Sequence, residues 1–256
     1  MAKIIAFSNQ KGGVGKTTTT VNVATYLAQS GQRTLLIDLD PQGNASTGLG
    51  IKKSQQLKSV YSILCGEEAA KDVVMPSCVE NLSVIPSNID LAGAEVELVY
   101  LKEREKALKK AVDTIADDYD VICIDCPPSL GLLTINALTC ANLVIIPIQS
   151  EFYALEGLSQ LINTIKLVVK HLNPTLKIEG VVLTMLDSRS LISRQISAQI
   201  KKYFGEKVFE TFIPRNIRLS EAPSHGVPVL MHDPNCAGAI AYKKLTQEII
   251  QRNLES

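Results

Sequence analysis

The chain has 256 residues and is 46% apolar, enough to bury one sizeable core. Lysine plus arginine equals aspartate plus glutamate at 26 each, which excludes a global field of the kind that marks a nucleic-acid binder; any such site must be a local patch. Six scattered cysteines, in a chain too large to need disulfide staples, read as reduced thiols of a cytoplasmic protein.

The first apolar run, "KIIAFS" (3–8), reads as a strand and is too short for the apolar core of a signal peptide. "SNQKGGVGKTTTT" (8–20) follows and leads into a helical pattern at 17–30, with Gly31 where a C-terminal cap would stand. Further strands are expected at "RTLLIDLD" (33–40), "LSVIP" (82–86), "YDVICID" (119–125), "NLVIIPI" (142–148) and "EGVVLTML" (179–186). "VFETFIP" (208–214) is expected as one more, nearer the edge. Helical patterns fill 92–117, 154–171, 189–204 and 237–254. The uncharged run from Cys126 to Ser150 is interrupted by prolines and amides, so no membrane span is expected. The stretch 67–120, with 13 acidic against 6 basic residues, reads as a solvated helical face. Strands apolar on both faces, alternating with helices, predict a doubly wound, mostly parallel α/β sheet with helices on both faces. With no repeat or linker in sight, a single domain over 1–256 is expected.

The loop at 8–20 carries the chemistry. Gly15, Lys16 and Thr17 match the end of G-x-x-x-x-G-K-[ST], but Gln10 stands at the first glycine and a second lysine, Lys11, follows. Gly12, Gly13 and Gly15, with Val14 among them, allow backbone N–H groups to converge on an anion at the start of a helix. In that setting Lys16 should reach the β- and γ-phosphates, the Thr17 hydroxyl should ligate Mg²⁺, and Thr18 should cap or meet the α-phosphate. Asp38 and Asp40 share one strand face, and Asp125 ends a buried run. Each could be a helix cap or loop anchor; with the loop, they read as a magnesium- and water-handling set. Lys11 should leave a loop already filled by phosphate. It is then either simply solvated or reaches the nucleotide of a facing subunit in a two-fold dimer.

"KGGVGKTT" (11–18), "DLDPQGN" (38–44), "IDCPPSLG" (124–131) and "IPRNIRLSEAPSHG" (213–226) together resemble the ParA/Soj partitioning ATPases, which belong to the deviant Walker A group that includes MinD. The resemblance runs from residue 3 to about 250. It implies a P-loop NTPase fold and an ATP- and Mg²⁺-dependent ATPase, slow and stimulated by a partner. Lys11 would be the signature lysine and Lys16 the Walker lysine. Asp40 would orient the attacking water, Asp125 would be the Walker B carboxylate, and Pro214 and Asn216 would line the adenine. It also implies an ATP-bound homodimer on non-specific double-stranded DNA, a ParB-type centromere-binding partner, and a place on the nucleoid. Because the chain starts directly with its first strand, it is expected to lack the N-terminal DNA-reading extension of larger members.

Between Arg189 and Arg218 stand seven basic and two acidic residues. Arg189 and Arg218 match residues that bind DNA in the family, and Lys201 and Lys202 are counted with them. Without interleaved aromatic residues, phosphate contacts and salt-sensitive, sequence-independent binding are expected. Cys123 and Cys126 form C-x-x-C, but Cys123 lies inside an apolar strand and no second pair has metal-site spacing, so both read as structural. Two other functions compete: a MinD-like membrane-recruited regulator, and a metabolic ligase or metal-cluster carrier. The first would need a basic amphipathic tail helix, whereas the tail reads as a core-packing one. The second would need interface cysteines or a substrate pocket.

Overall fold

The computed structural model describes residues 2–52, 58–151, 154–187 and 189–253. Its strands are β1 (Lys3–Phe7), β2 (Thr34–Asp38), β3 (Met75–Pro76), β4 (Leu82–Ile85), β5 (Val121–Asp125), β6 (Leu143–Gln149) and β7 (Lys177–Thr184). They form one seven-stranded sheet in the order β3-β4-β2-β5-β1-β6-β7. All pairings are parallel except β3 with β4. The six strands read from the sequence are thus present, in a doubly wound sheet.

Alternation along the strands divides the core. Ile4 and Ala6 join the cluster under the helices Leu132–Cys140 and Ala154–His171. Ile5 and Phe7 face the opposite cluster, covered by Lys16–Gln29 and Ala237–Asn253. Strands sandwiched this way bury both pleat faces, which is why they read as unbroken apolar runs.

Three expectations change. The run 208–214 forms no continuous strand; it follows the edge of β7 through isolated bridges, Val181 to Val208 and Leu186 to Pro214. The pattern at 92–117 is not one helix but Leu91–Glu97 and Ala107–Val112 with short 3₁₀ turns between and after them. The buried stripes Leu91, Ala94, Leu98 and Leu108, Val112, Ile115 would lie about 70° apart on a continuous helix. The chain breaks so that both can face the core, with Leu101 extended and Glu103 at φ 54°. The helix Leu132–Cys140 falls inside the uncharged run; it is buried on nearly every side and shows no amphipathic period.

The helix Lys16–Gln29 is rich in β-branched threonine, a mediocre helix former. Tertiary burial holds it: eleven of its fourteen residues are buried. Gly31 takes φ 91° and donates to Ala28 O, closing the helix as the sequence suggested. The expected helices at 154–171, 189–204 and 237–254 appear as Ala154–His171, Leu191–Phe204 and Ala237–Asn253; residue 254 lies outside the described residues.

Candidate active site

The site grows from the carboxyl ends of β1, β2 and β5. The register pairs Phe7 with Asp125 and Asp38 with Asp125, so two strand-terminal carboxylates stand side by side below the loop that leaves β1. β6 opens the sheet for that loop. Its pairing with β1 stops at Ile145, and Pro147, which has no N–H, follows. Asn9 Nδ2 instead donates to Pro147 O at 2.7 Å, and Ser8 N to Ile145 O at 3.1 Å.

Gly13 and Gly15 adopt left-handed backbone, φ 74° and 80°, and a Cβ on Gly13 would meet nothing within 4 Å. The turn leads directly into the N-terminus of Lys16–Gln29, and Thr184 Oγ1 pins it from β7 by donating to Val14 O at 2.7 Å. The two lysines part company. Lys16 Nζ curls back to donate to Lys11 O at 3.0 Å and is buried. Burial lowers its pKa, opposed by the nearby Asp125, Cys126 and Asp40. Lys11 leaves the loop and pairs with the exposed Glu151.

Asp125 is fully buried, with one oxygen accepting from Thr17 Oγ1 at 2.7 Å and the other from Thr20 Oγ1 at 2.9 Å. Desolvation and then the charge of Asp38 push its pKa up, against those hydroxyls and Lys16. Asp38 is raised as well, chiefly by burial. Its oxygens accept from Ser46 N, Ser46 Oγ and Asp40 N at 2.8, 2.7 and 3.1 Å, so Asp38 anchors the loop that carries Asp40. Asp40 in turn accepts from Gln42 N at 2.9 Å. Pro214 and Asn216 share a cavity of about 250 Å³ with Gly15 and Thr18, next to the phosphate loop.

The residues suit a magnesium polyphosphate. Hydroxyl and carboxylate oxygens are hard donors, and Gln10 Oε1 at the loop is buried without a partner. Among the described residues no three His, Cys, Asp or Glu side chains gather as a metal cage. Magnesium needs none, because it keeps waters and substrate phosphates in its shell. Thr20, Ser46, Thr184 and Glu151 were not singled out from the sequence. Thr20 alone had a signal there, being one turn beyond Thr17.

The basic run is spread over a turn, a helix and the segments beyond it. Arg189 stands before the helix Leu191–Phe204, 92% exposed and leaning on Asp187. Lys201 and Lys202 are in that helix's last turn, about 15 Å along its axis from its first residue, Leu191. Lys207 turns to Ile178 O, at the start of β7. Arg218 is held by Glu221 and Asp233 of its own chain. Cys123 and Cys126 are buried free thiols, and burial pushes Cys123 up to about 12.

A parallel sheet whose first strand feeds a glycine loop and a lysine-headed helix defines a P-loop nucleotide-binding protein, here of the two-lysine type. A family model described as an AAA domain matches residues 2–178. The sporulation initiation inhibitor protein Soj of Bacillus subtilis (strain 168) is 57% identical over 249 residues, 97% of this chain and 98% of that protein. The chromosome-partitioning ATPase Soj of Treponema pallidum (strain Nichols) is 51% identical over 99% of both chains. A crystal structure of cobyrinic acid a,c-diamide synthase from Mycobacterium smegmatis, with bound ATP analogue and magnesium, superposes with a TM-score of 0.88 at 37% identity, covering 100% of this chain and 97% of that one. The chain belongs to the Soj/ParA family of chromosome-partitioning ATPases.

Proposed function

We propose that this chain is an ATP-driven switch for chromosome or plasmid partitioning. ATP and Mg²⁺ close a sandwich dimer, the dimer holds DNA without regard to sequence, and hydrolysis promoted by a ParB-type partner resets it. The observation that carries the reading is the divergence of the two lysines. Lys16 stays inside the loop, where it would neutralise the β- and γ-phosphates; Lys11 points away from it, free to exchange Glu151 for a phosphate across a two-fold interface. Thr17 and Asp125 would hold the magnesium directly or through water, which neutralises phosphate charge when bound. Asp38 would serve that site by fixing the Asp40 loop, and Asp40 would orient the water. Pro214 and Asn216 would flank the adenine. For DNA, Arg189 would have to exchange Asp187 for a phosphate and Arg218 would have to leave two carboxylates, while Lys201 and Lys202 stand exposed at the far end of the helix Leu191–Phe204.

The MinD-like alternative gains no support. Tyr242, Leu245 and Ile249 of the helix Ala237–Asn253 are buried in the core shared with Lys16–Gln29, so among the described residues that apolar stripe is spent inside the protein. No helix among the described residues is long and apolar enough to cross a membrane. The test is DNA binding measured without nucleotide, with ADP and with ATP, for the parent beside Asp40→Ala. The parent should bind only with ATP, and Asp40→Ala should bind and stay bound. Equal binding in all nucleotide states would sink the switch.

A further inference from the structure

The segment after β4 is apolar on both sides. Leu91, Ala94 and Leu98 are fully buried. Ala92 and Val96, four apart, share the opposite face of the helix Leu91–Glu97, and Ile89 before it and Val99 and Tyr100 in the 3₁₀ turn after it are exposed as well. That face is open: Ile89 is 68%, Val96 66% and Tyr100 86% exposed. An outward stripe normally carries charge, and a contiguous exposed apolar stripe marks a place where something docks. The surrounding charge selects the occupant. Between Ile89 and Tyr100 the chain has three carboxylates, Asp90, Glu95 and Glu97, and no base. Glu97 flanks the stripe, accepting from Tyr61 Oη, and Asp90 accepts from Asn88 Nδ2 at its start. Beyond Tyr100 the bases are mostly spent internally: Lys106 and Lys110 on Glu103, Arg104 on Glu105.

We infer that the stripe Ile89–Tyr100 is the docking face for a basic, apolar-sided segment of the partner that stimulates hydrolysis, an inference that rests on the proposed function's claim that such a partner exists. A helical or extended segment with lysines or arginines beside two or three bulky apolar residues fits it by burying the stripe and facing the carboxylates. The position can reach the chemistry. Ser87, two residues before Ile89, donates its N–H to Ser46 Oγ at 3.1 Å, and that hydroxyl donates to Asp38 at 2.7 Å. A partner that shifts the stripe therefore pulls on the serine that fixes the Asp40 loop.

The test is phosphate release at saturating ATP and Mg²⁺, titrated with the full-length ParB-type protein of the same organism. The variant Val96→Lys with Tyr100→Lys changes two exposed side chains and should keep basal turnover and ATP-dependent DNA binding. The partner concentration for half-maximal stimulation should rise about tenfold or more, since two apolar anchors become like charges to the incoming segment. For the parent, added salt should raise that concentration as well. A double variant stimulated like the parent overturns the docking face and leaves the switch standing. A parent that no partner concentration stimulates overturns the partner-driven reset itself. A parent that self-associates through this stripe without partner, with the association abolished in the double variant, assigns the face to a second copy and overturns the inference.

Discussion

Replacing Thr20 with valine isolates one hydrogen bond in the most confined part of the site. The Thr20 hydroxyl is fully buried, within 2.9 Å of Asp125 and 3.0 Å of Lys16 O, and it has one proton to donate. The carboxylate is the stronger acceptor, so valine leaves one oxygen of a buried charge unpartnered. A hydrogen bond to a charged group is worth about 1.5–3 kcal/mol, and the methyl that replaces the hydroxyl leaves no cavity. Taking about 2 kcal/mol, and about 2–4 °C per kcal/mol for a chain of this size, Tm should fall by about 4–8 °C. The assay is thermal unfolding followed by circular dichroism without nucleotide, on the alkaline side of neutral, where Asp125 is most ionised. The loss should shrink as pH falls, because a protonated Asp125 no longer needs the donor. A Tm within about a degree of the parent's at every pH would refute the pairing of Thr20 with a charged Asp125.

Lys11→Ala should bind ATP as a monomer, whereas Asp40→Ala should bind ATP and persist as a dimer; size-exclusion chromatography with ATP separates the two. Arg189→Ala should dimerise normally but lower the slope of log affinity against log salt by about one to two for the dimer, at about 0.9 per phosphate contact. An unchanged slope removes Arg189 from the DNA surface. The raised carboxyls set the pH response of the nucleotide- and magnesium-free protein. Native Asp38 and Asp125 hold protons that the unfolded chain has released, so stability should fall as pH rises from about 4 toward and through neutral. Magnesium with nucleotide should flatten that fall by favouring the ionised forms, and unfolding at a series of pH values reads both effects.

The strands were legible because burial on both faces leaves a run that admits few polar residues. The helix Leu132–Cys140 was not, because burial on every side erases the period by which helices are read. The loop's glycines and lysines were legible as a motif, yet the adjacency of Asp38 and Asp125 depends on strand order, with β5 inserted between β2 and β1 after 82 residues of intervening chain. Ser46 is invisible for the same reason, since nothing in a serine near a glycine marks it as the anchor of an aspartate eight positions earlier. The basic run was legible as a local excess of charge, but which of its members share a surface depends on the helix Leu191–Phe204, which carries Lys201 and Lys202 in its last turn while Arg189 stands before its start.

Lys16 carries one further consequence. Folding alone strips most of its water and leaves the ammonium leaning on a carbonyl of its own loop. The arriving phosphate therefore meets a cation already dehydrated and already aimed, and the cost of dehydration has been borne by the stability of the empty protein. The lysine persists as a deliberate weakness, one that nucleotide repairs, and so the empty state is the fragile member of the cycle.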